Sequence, residues 1–257
     1  LGTPTEIAAT LYAHAASRVD TTRLLFLDSE QSLPVVDRLT CAADAGDSDE
    51  AEGSTTESII GGQKATDYPE AALINGQGFY CSGAVIAPRV VLTAGHCAHG
   101  SRFTVKAPFA NKSATGTRFW TDYVATGETV NPNTLDVAVI ILDSPIQLAS
   151  YPTLNPNKLA NGTEVVNVGR IKDGSLSTTT LYYGAPVAVT DGAPSFPMAY
   201  RSPVLIQSGD SGGPVYACTG ASGTVVGVNS GAGGSTQVLA RIDLAYAKIQ
   251  QLIAANP

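Results

Sequence analysis

Hydrophobic positions in this chain fall mostly in short runs rather than at helical spacing. The runs 83–86, 90–93, 137–142, 164–168, 204–206, 215–217 and 224–229 are rich in Val, Ile and Leu and are bounded by Gly, Pro, Asn or Asp. That pattern predicts short strands joined by turns. Strands following one another this closely, without helices between them, point to an antiparallel barrel or sandwich and argue against alternating βαβ units. Helical spacing occurs at the two ends. Near the start, Thr3 can cap, Pro4 suits the first helical position and Glu6 completes a capping box, which predicts a helix over about 4–18. Ile7, Leu11 and the intervening alanines form its apolar stripe, and the run 24–27 offers a short strand or a second contact. A closing helix is predicted over about 244–254, with Asp243 as its cap.

Composition agrees with an all-β reading. Only 14% of the 257 residues are charged, whereas Gly, Ser, Thr and Val recur throughout. The net charge of −7 is unevenly spread. Residues 1–58 hold eleven acidic and three basic residues, a balance of −8, and the remainder holds eleven acidic and twelve basic, a balance of +1. The stretch 42–58 has six acidic residues, no basic and no aromatic ones, so it reads as a solvated linker and places a boundary between 1–58 and 59–257. Without a basic stripe there is no footprint for nucleic acid, and no apolar run reaches the roughly 18 residues that span a bilayer. The chain begins at Leu1 without signal-like regions, so any secretory signal is expected to have been removed or to lie outside it. Asn111 and Asn161 head tripeptides that match the glycosylation acceptor pattern.

Candidate chemistry lies in two separated segments, Leu92-Thr93-Ala94-Gly95-His96-Cys97 and Gly209-Asp210-Ser211-Gly212-Gly213-Pro214. A serine hydroxyl becomes a nucleophile when a base takes its proton and preformed donors meet the oxyanion it creates. His96 and Ser211 could supply the first condition, and the glycine-flanked backbone at Ser211 the second. With Ile59-Ile60-Gly61-Gly62 and Leu135-Asp136-Val137-Ala138, these segments resemble, in order, the chymotrypsin and trypsin family of serine endopeptidases. The resemblance covers 59–257, about four-fifths of the chain. An α/β-hydrolase esterase would place its acid and histidine after the serine, opposite to the order found here.

The resemblance implies two six-stranded antiparallel β-barrels with a C-terminal helix, preceded by a partly helical propeptide. It implies that Ser211 attacks the scissile carbonyl, that His96 is the general base and then acid, and that Asp136 orients the imidazole. The backbone N–H groups of Gly209 and Ser211 would form the oxyanion hole. Cleavage between Ser58 and Ile59 would free an amino group to pair with Asp210, making residues 1–58 a propeptide. Ser58 is neither Arg nor Lys, so the activating protease would be non-tryptic. A Cys81–Cys97 bridge is expected from the same resemblance. For the other two cysteines, a Cys41–Cys218 bridge is expected, with free or intermolecular thiols as alternatives.

For specificity, the resemblance assigns Leu205, Ser230, Ala232 and Gln237 to the primary pocket, with Ser230 also matching the serine that supports the catalytic aspartate. Trypsin-like members have an aspartate at the position of Leu205, so a Lys or Arg side chain would be unpaired there. A medium-sized or apolar side chain is expected, with Leu205 or Gln237 partly filling the pocket as an alternative. The expected protein is a monomeric serine endopeptidase, extracellular or periplasmic, acting on protein or peptide substrates. No cofactor and no metal are implied. A catalytically silent family member serving as a binding or inhibitory module is the competing reading.

Overall fold

The computed structural model describes residues 62–257 apart from 128 and 219–222. The expected helix at 4–18, the linker at 42–58, Cys41, Ser58 and Ile59 lie outside the described residues. The first part of the fold contains β1 (Gln63–Lys64), β2 (Ala71–Asn75), β3 (Tyr80–Ala87), β4 (Val90–Thr93), β5 (Phe103–Ala107), β6 (Lys112–Thr121) and β7 (Ala138–Leu142). After these come β8 (Thr153–Leu154), β9 (Glu164–Gly169), β10 (Ile171–Lys172), β11 (Ser175–Leu176), β12 (Tyr182–Tyr183), β13 (Val187–Ala188) and β14 (Thr190–Asp191). The last elements are β15 (Ala199–Pro203), β16 (Pro214–Ala217), β17 (Thr224–Gly233), β18 (Thr236–Arg241) and the helix α1 (Tyr246–Ala255).

Strands β2 to β7 close into a six-stranded barrel in the order β2-β3-β4-β7-β6-β5. Its centre is β4 against β7, with Val90 opposite Ile141 and Leu92 opposite Val139. Every residue of these two strands is buried, which is why their runs are continuously apolar and do not alternate. The β3–β4 turn is fastened to the end of β7, where Arg89 Nη1 donates to the Asp143 carbonyl at 2.6 Å and Leu142 N donates to the Arg89 carbonyl at 2.8 Å.

The second barrel sheet has ten strands. It exceeds the six expected because two-residue strands such as β1, β13 and β14 are hydrogen-bonded onto its edges. Its main path runs β9-β16-β17-β18-β15. The two-barrel, all-β architecture implied by the resemblance is therefore present, with α1 after the last strand.

Two expectations are corrected. The segment 204–206 is not a strand. The N–H groups of Leu205 and Ile206 donate to the side-chain oxygen of Gln237, at 2.8 and 3.1 Å, instead of to a neighbouring backbone. Asp243 does not cap the closing helix. Its carboxylate receives two bonds from Arg241, at 3.0 and 2.6 Å, and begins a 3₁₀ turn, Asp243–Ala245, ahead of α1.

The Cys81–Cys97 disulfide is present, with Cα atoms 6.3 Å apart, and spans 16 residues of chain. Cys218 is also disulfide-bonded, while Cys41 lies outside the described residues. Replacing Cys81 and Cys97 together by alanine is expected to lower the unfolding free energy by about 3 kcal/mol through loss of the loop constraint. Guanidinium unfolding under non-reducing conditions measures this, and a midpoint equal to that of the parent would count against it.

Candidate active site

His96 sits in a 3₁₀ turn, Gly95–Cys97, immediately after β4. The turn is held on one side by the disulfide to β3. On the other side it packs on the Thr121–Tyr123 segment, since a Cβ at Gly95 would collide with Tyr123 and crowd Thr121. The Tyr123 ring lies edge-on to the imidazole, with centroids 6.2 Å apart.

Asp136 precedes β7 and is only 3% exposed. Its carboxylate is satisfied from two directions. His96 donates its backbone N–H to Oδ1 at 2.8 Å, and its ring Nδ1 lies 2.8 Å from Oδ2. Ser230 Oγ, from the second barrel, donates to Oδ2 at 2.6 Å. Ser230 falls at a register shift between Asn229 and Gly231 in the β17–β18 pairing. A bulge of this kind re-aims a side chain, here toward Asp136. With Nδ1 facing the carboxylate, the other ring nitrogen of His96 is the one left to face a substrate.

Ser211 is carried on a tight loop before β16, and the first barrel grips that loop through one residue. Ser82 N donates to the Ser211 carbonyl at 2.8 Å, and Ser82 Oγ donates to the Gly209 carbonyl at 3.1 Å. Two glycines make the loop possible. Gly209 has φ +113° and Gly212 φ +80°, both in the region that L side chains avoid. A Cβ at Gly212 would run into Thr93 and Ser82. Among the described residues, the backbone N–H groups of Gly209 and Ser211 donate to no other group, and no hydrogen bond links Ser211 Oγ to His96. Both side chains line the same cleft, of about 1190 Å³.

Asp210 is fully buried between these two residues. Its Oδ1 accepts from Arg170 N at 2.7 Å and Ile171 N at 2.8 Å, and its Oδ2 accepts from Gln207 N at 2.9 Å. Burial pushes the carboxyl up to about 6 despite those donors and the nearby Arg170 charge. The Arg170 guanidinium is itself buried. It donates to the carbonyls of Ile74, Cys81 and Ser177 and to Asn75 Oδ1, at 2.8 to 3.3 Å.

Of the residues assigned to the specificity pocket, Ser230 and Ala232 line the cleft. Leu205 and Gln237 do not. Ile206 takes the lining position beside Leu205, and Gln237 is buried with its amide in a polar network. Its Nε2 donates to Ser202 Oγ at 2.9 Å and Asn167 Oδ1 at 3.2 Å. Asn167 Nδ2 donates to Asn229 Oδ1 at 2.7 Å, and Asn229 reaches the carbonyls of Val168 and Asp210. The sequence offered one signal for this network, polar Asn167 and Asn229 inside otherwise apolar runs. For Ser82 and Arg170 it offered none.

The sulfurs of Cys81 and Cys97 lie within 4.8 Å of a ring nitrogen of His96. Because the sulfurs are joined to each other, they cannot act as thiolate ligands for a metal.

A family profile described as Trypsin matches residues 59–253. The chain belongs to the trypsin family. Serine protease SP24D of Anopheles gambiae is 28% identical over 179 residues, spanning 61% of this chain and 66% of that protein. Two solved structures of heparin binding protein, one of them a mutant of the human protein, superpose with TM-scores of 0.61 and 0.59. Each is 24% identical and is matched over 97% of its length and 77% of this chain, a likeness of fold. The chain is thus a protein of serine-protease type, and its two barrels carry the site described above between them.

Asp210 makes stability depend on pH in a defined direction. Its carboxyl titrates near 6 in the fold, against an ordinary value of 3.8. Between those values the folded state binds more protons than the unfolded state, so this group's contribution falls as pH rises. In urea melts of the uncleaved chain from pH 4 to 6, Asp210→Asn is expected to remove that downward contribution, giving a more positive slope of unfolding free energy against pH than the parent. Identical slopes would show that Asp210 titrates normally.

Proposed function

We propose that this protein is a serine endopeptidase made as a zymogen, with Ser211, His96 and Asp136 as its catalytic triad. The observation that carries the reading is the Asp136 carboxylate, buried and bonded to both the backbone and the ring of His96. The imidazole is thereby fixed in one orientation, in a cleft it shares with Ser211. The unengaged N–H groups of Gly209 and Ser211 support an oxyanion site beside the nucleophile.

In the reaction, Ser211 Oγ attacks the peptide carbonyl carbon while His96 Nε2 takes the hydroxyl proton. The developing oxyanion accepts from the two N–H groups. As the tetrahedral species collapses, the C–N bond breaks and the imidazolium proton passes to the leaving amine. Water then attacks the acyl ester by the same route in reverse, releasing the acid and restoring Ser211. Asp136 orients and stabilises the imidazolium, and Ser230 holds that carboxylate in place.

Activation by cleavage between Ser58 and Ile59 is part of the proposal, although both residues lie outside the described ones. Its support is Asp210. This buried carboxylate has backbone N–H donors but no cationic group in hydrogen-bonding contact among the described residues. A new terminal ammonium would supply that charge, and the pairing would order the adjoining oxyanion loop. A disulfide within the His96 segment fits an oxidising compartment, so the protein is proposed to be secreted or periplasmic and to meet a non-tryptic activator there.

Treatment with a serine-directed fluorophosphonate, before and after cleavage at Ser58–Ile59, tests the reading. Label is expected on Ser211 of the cleaved form and at a much lower rate on the uncleaved form. An unlabelled cleaved form would instead favour a silent family member that acts by binding. Ser211→Ala and His96→Ala are each expected to reduce peptide hydrolysis by about 10⁴-fold or more, read as kcat/KM.

A further inference from the structure

We infer that Gln237 is a specificity-determining residue, closing the recess beside Ser211 so that only peptides with a small, non-basic side chain at the acyl position of the scissile bond are accepted. The inference rests on the endopeptidase reading and names its substrate class.

The recess lies between two walls. One is the loop that brings Ile206, Gln207 and Ser208 to the cleft, and the other is the end of β17 from Ser230 to Gly233. On the second wall Ala232 lines the cleft, and its partner in the β17–β18 register is Gln237. Directly paired residues project from the same face of a sheet. Gln237 therefore stands beside Ala232 and projects toward the opposite wall, where its Oε1 accepts from both Leu205 N and Ile206 N. A small residue here would leave a channel running inward from Ala232 and Ile206. Gln237 occupies that space and is fully buried in doing so.

The plug is fixed. The Gln237 amide makes four hydrogen bonds, two through Oε1 and two through Nε2 to Ser202 and Asn167. Swinging aside for a substrate would strand two backbone donors and two side-chain acceptors in the interior, each a penalty comparable to a lost buried hydrogen bond. Nor does the recess suit a basic side chain, because the described cleft-lining residues include neither Asp nor Glu. Gly, Ala and Ser are the side chains that fit.

The test uses the full chain cleaved at Ser58–Ile59, with active sites counted by fluorophosphonate label on Ser211 and substrates that vary only at the acyl residue. Ala is expected to exceed both Leu and Phe by about tenfold or more in kcat/KM, in line with the cost of misfitting one or more methylenes. Gln237→Gly is expected to raise the Leu-to-Ala ratio by about tenfold. Since that variant removes a buried bracket and could fail to fold, Ala232→Val provides a second arm. It narrows the mouth without touching the bracket, and should shift preference from Ala toward Gly. A labelled parent enzyme that takes Leu or Phe as well as Ala overturns the inference while leaving the endopeptidase reading intact, as does a folded Gln237→Gly variant or an Ala232→Val variant with an unchanged profile. An unlabelled Ser211 overturns both.

Discussion

The site depends on the grip of Ser82 on the loop that carries Ser211. The proposed nucleophile on one barrel and its base on the other would work together only if the seam between the barrels holds to a fraction of an ångström, and side-chain packing alone leaves room to slide. Ser82 removes that freedom by bonding the carbonyls of Gly209 and Ser211 from a strand whose next residue but one, Ala84, is already deep in the first barrel. Ser82 is positioned in turn by Thr93, whose hydroxyl donates to the Ser82 carbonyl at 2.9 Å. Thr93 ends the strand that leads directly into the His96 turn. The histidine and the serine loop are thereby referenced to the same short stretch of backbone.

A second set of contacts works from below. Arg170 follows β9 and inserts a guanidinium among the carbonyls of Ile74 and Cys81 on the first barrel, while its own backbone N–H supports Asp210. A buried cation is costly, and this one spreads its charge over carbonyls and an amide instead of forming a direct ion pair. With Asp210 nearby, the interior beneath Ser211 holds two opposite charges close together without direct contact. That arrangement makes the region responsive to any further charge that arrives there.

Much of this was legible in the sequence where a local rule operates. The runs 90–93 and 137–142 became β4 and β7 because continuous β-branched runs suit strands buried on both faces, and the turn residues between runs 83–86 and 90–93 marked a hairpin. His96, Asp136 and Ser211 could be singled out because each lies in a short segment of distinctive composition. What could not be read depended on partners far away in the chain. The segment 204–206 looks like a strand by composition, yet its N–H groups are claimed by a side chain about thirty residues downstream. Asp243 looks like a cap but is taken by Arg241, two residues earlier. Ser82 and Arg170 occupy unremarkable local sequence, and their roles exist only once the two barrels meet. Gln237 was placed at the pocket by its distance along the chain, which cannot distinguish a residue facing the cleft from one standing behind its wall.

The polar bracket behind that wall also bears on how this protein could diverge. Gln237, Asn167, Asn229 and Ser202 satisfy one another in the interior, and the Asn229 amide continues to the carbonyl of Asp210. A change of residue at 237 leaves Asn167 and two backbone donors unsatisfied unless a neighbour changes with it. On the proposed reading, substrate preference and foldability are therefore inherited together, and the path from one specificity to another would pass through a less stable ancestor unless two or more positions change in concert.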